Sequence, residues 1–131
     1  MSSEGTEASG AKTTSNSVET FDYVKALDLT EGDEDLLREL IGLFKEESTE
    51  LMGHLESAVA SGDCDSVRKA AHRLKGASAT VGGVKIAATA RMLETMGATK
   101  TLTDADGILA QLHGLIGEYD RATDFSGKEP Q

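Results

Sequence analysis

The chain is short of cysteine, proline and aromatic residues, and it has neither a long apolar run nor a surplus of positive charge. Its one cysteine, Cys64, forms no internal disulfide, which suits a reducing compartment. Cys64 stands between Asp63 and Asp65, whose carboxylates oppose a thiolate, and it reads as a bystander. The one proline, Pro130, lies outside every helical pattern, so nothing breaks those patterns from within. Three Phe, two Tyr and no Trp leave a small core of Leu, Ile, Val and Ala, which favours helices over a β-sandwich. No stretch approaches the ~20 apolar residues of a membrane span. The start, Met1-Ser2-Ser3-Glu4-Gly5, has no basic and apolar signal segment, so a soluble cytoplasmic protein is expected. A formal charge of −10 excludes the basic footprint that nucleic acid or anionic lipid would need. No Gly-rich phosphate loop and no cluster of Mg²⁺ carboxylates is present, so the chain is expected to bind neither ATP nor a metal of its own.

What is present is helical periodicity. Residues 1–19, rich in Ser, Thr, Gly and Glu, read as a disordered N-terminal tail, and residues 123–131 as a disordered C-terminal one. Between them, 20–122 read as one domain. A short helix is predicted from about Asp22 to Leu27. A long one follows from about Asp33 to Ser61, where Leu37, Ile41, Phe44, Ser48, Leu51, Leu55 and Ala58 keep one stripe inward. Thr30 and the acids Glu31, Asp33 and Glu34 suit its start, and Gly62 its end. A third helix runs from an Asp63 cap to about Val81, and Gly82-Gly83 turns the chain back. The fourth spans about Val84 to Met96 and stops at Gly97. The fifth begins at a Thr103-x-x-Asp106 capping box and buries Ala105, Ile108, Leu109, Leu112, Leu115, Ile116 and Tyr119. Short loops between four substantial helices imply an all-α, antiparallel up-down-up-down four-helix bundle with a short additional N-terminal helix.

One residue departs from this packing logic. At ~100° per residue, Val67, Ala70, Ala71, Leu74, Ala77, Ser78 and Val81 form the apolar face of the third helix, and His72 projects roughly 160° away from its centre. On the side of His72 lie Arg68, Lys75, Gly76 and Ala79. A mid-helix glycine costs about 1 kcal/mol relative to alanine, so Gly76 invites a reason other than helix stability, such as close approach by another molecule. Arg68, Lys69, Arg73, Lys75 and Lys85 supply five of the 13 cations of an acidic chain around this histidine. His54 and His113 have no His, Cys or suitably paired acid at i+3 or i+4, only weak Asp/Glu neighbours, and read as non-metal residues. Met52, Met92 and Met96 sit at core or boundary spacing.

The segment Ala71-His72-Arg73-Leu74-Lys75-Gly76-Ala77-Ser78-Ala79 resembles the signature of histidine-containing phosphotransfer (HPt) domains, the phosphocarriers of multistep phosphorelays. The resemblance extends to Phe21-Asp22, to Gly32 through Leu37 and on past Phe44 to Leu55, and downstream to Gly82-Gly83, Ile86-Ala87 and Leu93-Glu94, covering roughly residues 21–118. It implies that His72 accepts a phosphoryl group from a receiver-domain aspartate and passes it to another. A neutral imidazole has a lone pair for this near pH 7, and a covalent intermediate splits one transfer into two steps. The chemistry asks for an exposed ring, positive charge near the equatorial oxygens and a low surface for docking. His72 meets the first, Lys75 and Arg68 the second, and Gly76 and Ala79 the third, with Arg73 on the same docking surface in an electrostatic role.

If the third and fourth helices are antiparallel about Gly82-Gly83, His72 lies level with Leu93 and Glu94. The family often places Glu or Gln there to hydrogen-bond the other imidazole nitrogen, so Glu94 is the expected orienting residue. Expected partners are receiver domains of response regulators or of hybrid sensor histidine kinases, with Mg²⁺ held by the receiver, and a monomer is expected. The competing reading is a non-phosphorylated helical adaptor that uses the same surface, but a docking module has no need of an intact His72 with Lys75 and Gly76. A phosphoacceptor module of a larger kinase is a third reading, and no ATP-binding segment accompanies it here.

Overall fold

A computed structural model describes residues 20–124 of the chain. The two tails read from the sequence lie outside them, apart from Thr123 and Asp124. Among the described residues there are five helices and no strand: α1 (Tyr23–Leu29), α2 (Glu34–Ser61), α3 (Cys64–Thr80), α4 (Val84–Ala98) and α5 (Ala105–Ala122). None is long and apolar enough to cross a membrane.

The first three helix starts follow one rule. The side chains of Asp22, Asp33 and Asp63 accept hydrogen bonds from the backbone N–H groups of Lys25, Leu36 and Ser66, satisfying donors that have no partner within the helix. Thr30 is therefore not the cap of α2; it closes α1, its N–H bonding back to Ala26 and Leu27. α5 starts at Asp104, one residue after the expected Thr103 box, and no side-chain cap is formed there. α2 has 28 residues, about 42 Å at 1.5 Å per residue, and ends where Gly62 takes φ 73°.

α2 to α5 run alternately up and down around a core of Leu37, Ile41, Leu55, Val67, Ala71, Leu74, Ile86, Ala90, Leu93 and Leu112, each nearly inaccessible to solvent. α1 closes the end at which α2 starts and α5 finishes. There the Asp22 N–H donates to the Gly82 carbonyl at 2.8 Å, while Phe21 and Phe44 meet the ring of Tyr119 edge to face. The Tyr119 hydroxyl donates to the Val81 carbonyl at 2.8 Å, so this aromatic cluster also pins the α3–α4 turn. Thr123 is buried and donates to the Tyr119 carbonyl, so the packed unit extends past the boundary at 122. Met92 is 48% exposed and stands outside the core.

Two glycines set the α3–α4 hairpin. Gly82 has φ 74°, and a Cβ there would lie 2.6 Å from the Asp22 carbonyl oxygen. Gly97 does not stop α4, which continues to Ala98. It is buried inside the helix, where an added Cβ would meet the Arg68 nitrogen and the Cys64 oxygen, each at 2.7 Å. The backbones of α3 and α4 touch at this point.

Candidate functional site

His72 sits on the outer face of α3, with its side chain 64% exposed. The neighbours that bury the rest of the helix, Ala71 and Leu74, point the other way and have no accessible surface. The helix is thus anchored by its apolar stripe and displays the imidazole by geometry alone.

The close approach of α4 at Gly97 and the antiparallel turn at Gly82-Gly83 bring Glu94 opposite His72. Glu94 Oε2 lies 2.8 Å from His72 Nδ1. Its other oxygen, Oε1, lies 2.7 Å from Lys75 Nζ. One carboxylate from α4 therefore bridges two residues of α3 that are three positions apart. The Lys75 ammonium, and after it the His72 ring, hold the Glu94 carboxyl below the ordinary carboxylate range, so it is ionised at neutral pH. An ionised carboxylate beside Nδ1 favours the tautomer with hydrogen on that nitrogen, and the lone pair is then on Nε2. Among the described residues Nε2 has no protein partner, so it is the nitrogen open to an approaching electrophile.

Four of the cations around the ring are engaged. Arg68 and Lys69 share Asp65, at 2.9 and 3.2 Å, and this pairing lowers the Asp65 carboxyl, with Arg68 the larger influence. Arg73 reaches across to Glu47 of α2 at 2.7 Å, and the carboxylate raises the affinity of its guanidinium for its proton. Lys75 is the closest of them to the ring by connection, through Glu94, and its side chain is 33% exposed. Arg68, one turn before His72, faces the N-terminal acid rather than the ring.

Gly76 is exposed, with no atom within 4 Å of where a Cβ would be. Nothing in the fold requires a glycine there. Ala79 is half-buried at the end of the same face. Ser78 is fully buried and donates to the Leu74 carbonyl at 2.7 Å, a packing role. Sequence reasoning missed the Arg73–Glu47 link because the register between α2 and α3 depends on how the Gly62 turn is made. The Lys75–Glu94 link was within reach, since the hairpin that sets Glu94 level with His72 also sets it near the residue three positions on. His113 pairs with Glu56 of α2 on another face, away from His72.

Together these groups make an accessible imidazole nitrogen on a rigid two-helix platform, with a carboxylate behind the ring, an ammonium beside it and a bare backbone one turn on. That arrangement suits a nucleophile that must meet a bulky partner.

A family model described as the Hpt domain matches residues 39–122. Among solved structures, the chain is similar to the crystal structure of histidine-containing phosphotransfer protein B (HptB) from Pseudomonas aeruginosa PAO1, with a TM-score of 0.77 at 24% sequence identity over 86% of this chain and 97% of that one. At that identity the likeness bears on the fold. No curated protein matches the chain.

Proposed function

Because the chain belongs to the Hpt domain family, the phosphocarriers of phosphorelays, we propose that His72 is its phosphoacceptor, taking a phosphoryl group from the aspartate of one receiver domain and delivering it to that of another. The observation that carries this reading is the pairing of Glu94 with Nδ1, which leaves Nε2 as the exposed nucleophile.

The Nε2 lone pair attacks phosphorus in line, the N–P bond forms, and the P–O bond to the receiver aspartate breaks with its electron pair returning to that carboxylate. Onward transfer reverses the roles: an aspartate oxygen of the second receiver attacks phosphorus, the N–P bond breaks, and its electrons return to Nε2. No proton has to leave the ring in either direction if Nδ1 keeps its hydrogen. Lys75 is 2.7 Å from Glu94 and is positioned to exchange that contact for an equatorial phosphoryl oxygen. Arg68 adds positive charge one turn away. Gly76, Ala79 and Arg73 form the surface against which the receiver docks, the glycine allowing close approach.

The chain acts as a monomeric carrier, residues 20–122 and the buried Thr123 forming the phosphotransfer unit. It needs no cofactor, the Mg²⁺ of the reaction being held by the receiver. Mixing the purified protein with phosphorylated receiver domains and following label tests the reading. Wild type takes label and His72→Gln takes none, while both melt at the same temperature, because an exposed substitution of this kind changes stability by about 0.5 kcal/mol or less. Label on the glutamine variant would move the acceptor elsewhere. A folded wild type that took label from no receiver would favour an adaptor that only binds.

A further inference from the structure

The carboxylate of Glu94 has a consequence for the phosphorylated state that its role in the free protein does not require. Once Nε2 is bonded to phosphorus, its lone pair is used. The ring then either keeps hydrogen on Nδ1 and carries a positive charge, or loses that hydrogen and points a second lone pair at Glu94. At 2.8 Å from Oε2 the second arrangement sets two acceptors against each other, one of them an anion. The first keeps a charge-assisted hydrogen bond.

We propose that Glu94 is a positioning residue that holds a proton on Nδ1 of phosphorylated His72 and so keeps the N–P bond labile. This inference rests on His72 being the phosphoacceptor and concerns what happens after it is loaded. A protonated phosphoimidazole leaves as neutral imidazole when the N–P bond breaks; a deprotonated one leaves as the far more basic imidazolide. The same carboxylate that orients the ring for acceptance thus keeps the carrier ready to give the group up, to a receiver aspartate or to water. In hydrolysis, water attacks phosphorus and loses a proton to solvent, and the N–P electrons return to Nε2.

The charged groups around this pair fix the sign of its response to pH. On α3, Lys75 competes with the ring for Glu94, and Arg68 and Lys69 share the single carboxylate of Asp65, so that trio keeps one net positive charge. On α2, Glu47 is engaged by Arg73. On α4, Arg91 is exposed one turn before Glu94. Only Glu94 contacts Nδ1, so its charge dominates, and Lys75 weakens it.

The test uses phosphoramidate, a small phosphoryl donor that requires no receiver, to load wild type, Glu94→Gln and Lys75→Gln. Loss of phosphohistidine is then followed by ³¹P NMR across pH 6 to 10. In wild type, hydrolysis persists to high pH before it slows. In Glu94→Gln, whose amide can accept from or donate to Nδ1, the slowing moves down by about one pH unit, which is about a tenfold longer lifetime above the midpoint. In Lys75→Gln, which removes a cation near the ring whether the ammonium sits on Glu94 or on the phosphoryl oxygens, it moves up. A residue that merely held the ring in place would shift neither profile, and the opposite signs distinguish charge from misfolding. Coincident profiles for wild type and Glu94→Gln overturn the inference and leave His72 as the carrier. A folded wild type that never forms phosphohistidine at His72 overturns both.

Discussion

Gly97→Ala should destabilise the protein, although alanine is the better helix former. In an unhindered helix the exchange gains about 1 kcal/mol. At Gly97 the new methyl would stand 2.7 Å from the Arg68 nitrogen and from the Cys64 oxygen, and 2.9 Å from the Arg68 Cα, where unstrained contacts lie at about 3.5–4.0 Å. All three are backbone atoms in the first turns of α3, so no side chain can swing aside. The helices must part by most of an ångström or the end of α4 must unwind. Overpacking of this kind costs typically 1–3 kcal/mol, and because the obstacle is main chain the upper part of that range applies. Net of the helix gain, about 2 kcal/mol should be lost, a fall in Tm of about 8–16 °C for a domain of this size.

Thermal melts followed by far-UV circular dichroism, with Gly53→Ala as the reference, measure this directly. Gly53 is also helical, but a Cβ there meets nothing within 4 Å, so the same substitution should raise Tm. Because Gly97 is three residues beyond Glu94, parting the helices should also weaken the Glu94–His72 contact, and the His72 ring resonances should move toward those of Glu94→Ala. A Gly97→Ala protein as stable as wild type, or more so, would refute the claim that the two backbones touch.

Substitutions at three further positions probe separate features of the fold and site. Gly76→Ala should stabilise the domain by up to about 1 kcal/mol, since a Cβ there meets only open space, yet it should slow transfer from a receiver, and Gly76→Gln should slow it further; unchanged transfer in both would remove the docking explanation for that glycine. Tyr119→Phe should cost about 1–3 kcal/mol by leaving the buried Val81 carbonyl without its donor, and a change below about 0.5 kcal/mol in urea unfolding would show that the carbonyl finds another partner. Asp120→Asn should stabilise the protein at pH 7. Burial pushes the Asp120 carboxyl up despite opposition from Lys45 and Arg121, and among the described residues its Oδ1 has no hydrogen-bond partner. The folded state therefore binds this proton more tightly than the unfolded one, and wild type loses stability as pH rises through the raised value. The gain from asparagine should shrink as pH falls and be gone below the ordinary value of 3.8; a gain that persists there would assign it to another cause.

Much of the architecture is legible without coordinates because one period controls it. The stripe from Leu37 to Ala58 is buried as spaced, and the turn signals at Gly62 and Gly82-Gly83 fall where α2 and α3 end. The misreadings occur where a residue's local preference and its tertiary task differ. Gly97 looks like a helix stop because glycine is a poor helix former, but its missing side chain is used for contact between helices. Thr30 and Thr103 look like caps because threonine is suited to that position, yet Asp33 caps α2 and the start of α5, with Asp104 before it, has no side-chain cap at all. At the site, the exposure of His72 follows from the helical wheel alone, and the level of Glu94 from counting back around the turn.

What counting cannot supply is which acid each cation chooses. In the sequence, Arg68, Lys69, Arg73, Lys75 and Lys85 read as a positive field around the histidine. In the structure the first four are paired, with Asp65, Asp65, Glu47 and Glu94, so the surface presented to a partner is less positive than its composition suggests. The pairs on Asp65 and Glu47 are the more exposed, and exposed pairs contribute about 0–1 kcal/mol each; the Lys75–Glu94 pair is more sheltered, its side chains 33% and 22% exposed. On the proposal that His72 is the phosphoacceptor, a dianionic phosphoryl group on Nε2 would compete for Lys75 against a single carboxylate that the imidazole already shares. The positive charge needed at phosphorus would then be held in reserve within reach of the ring until the phosphoryl group arrives.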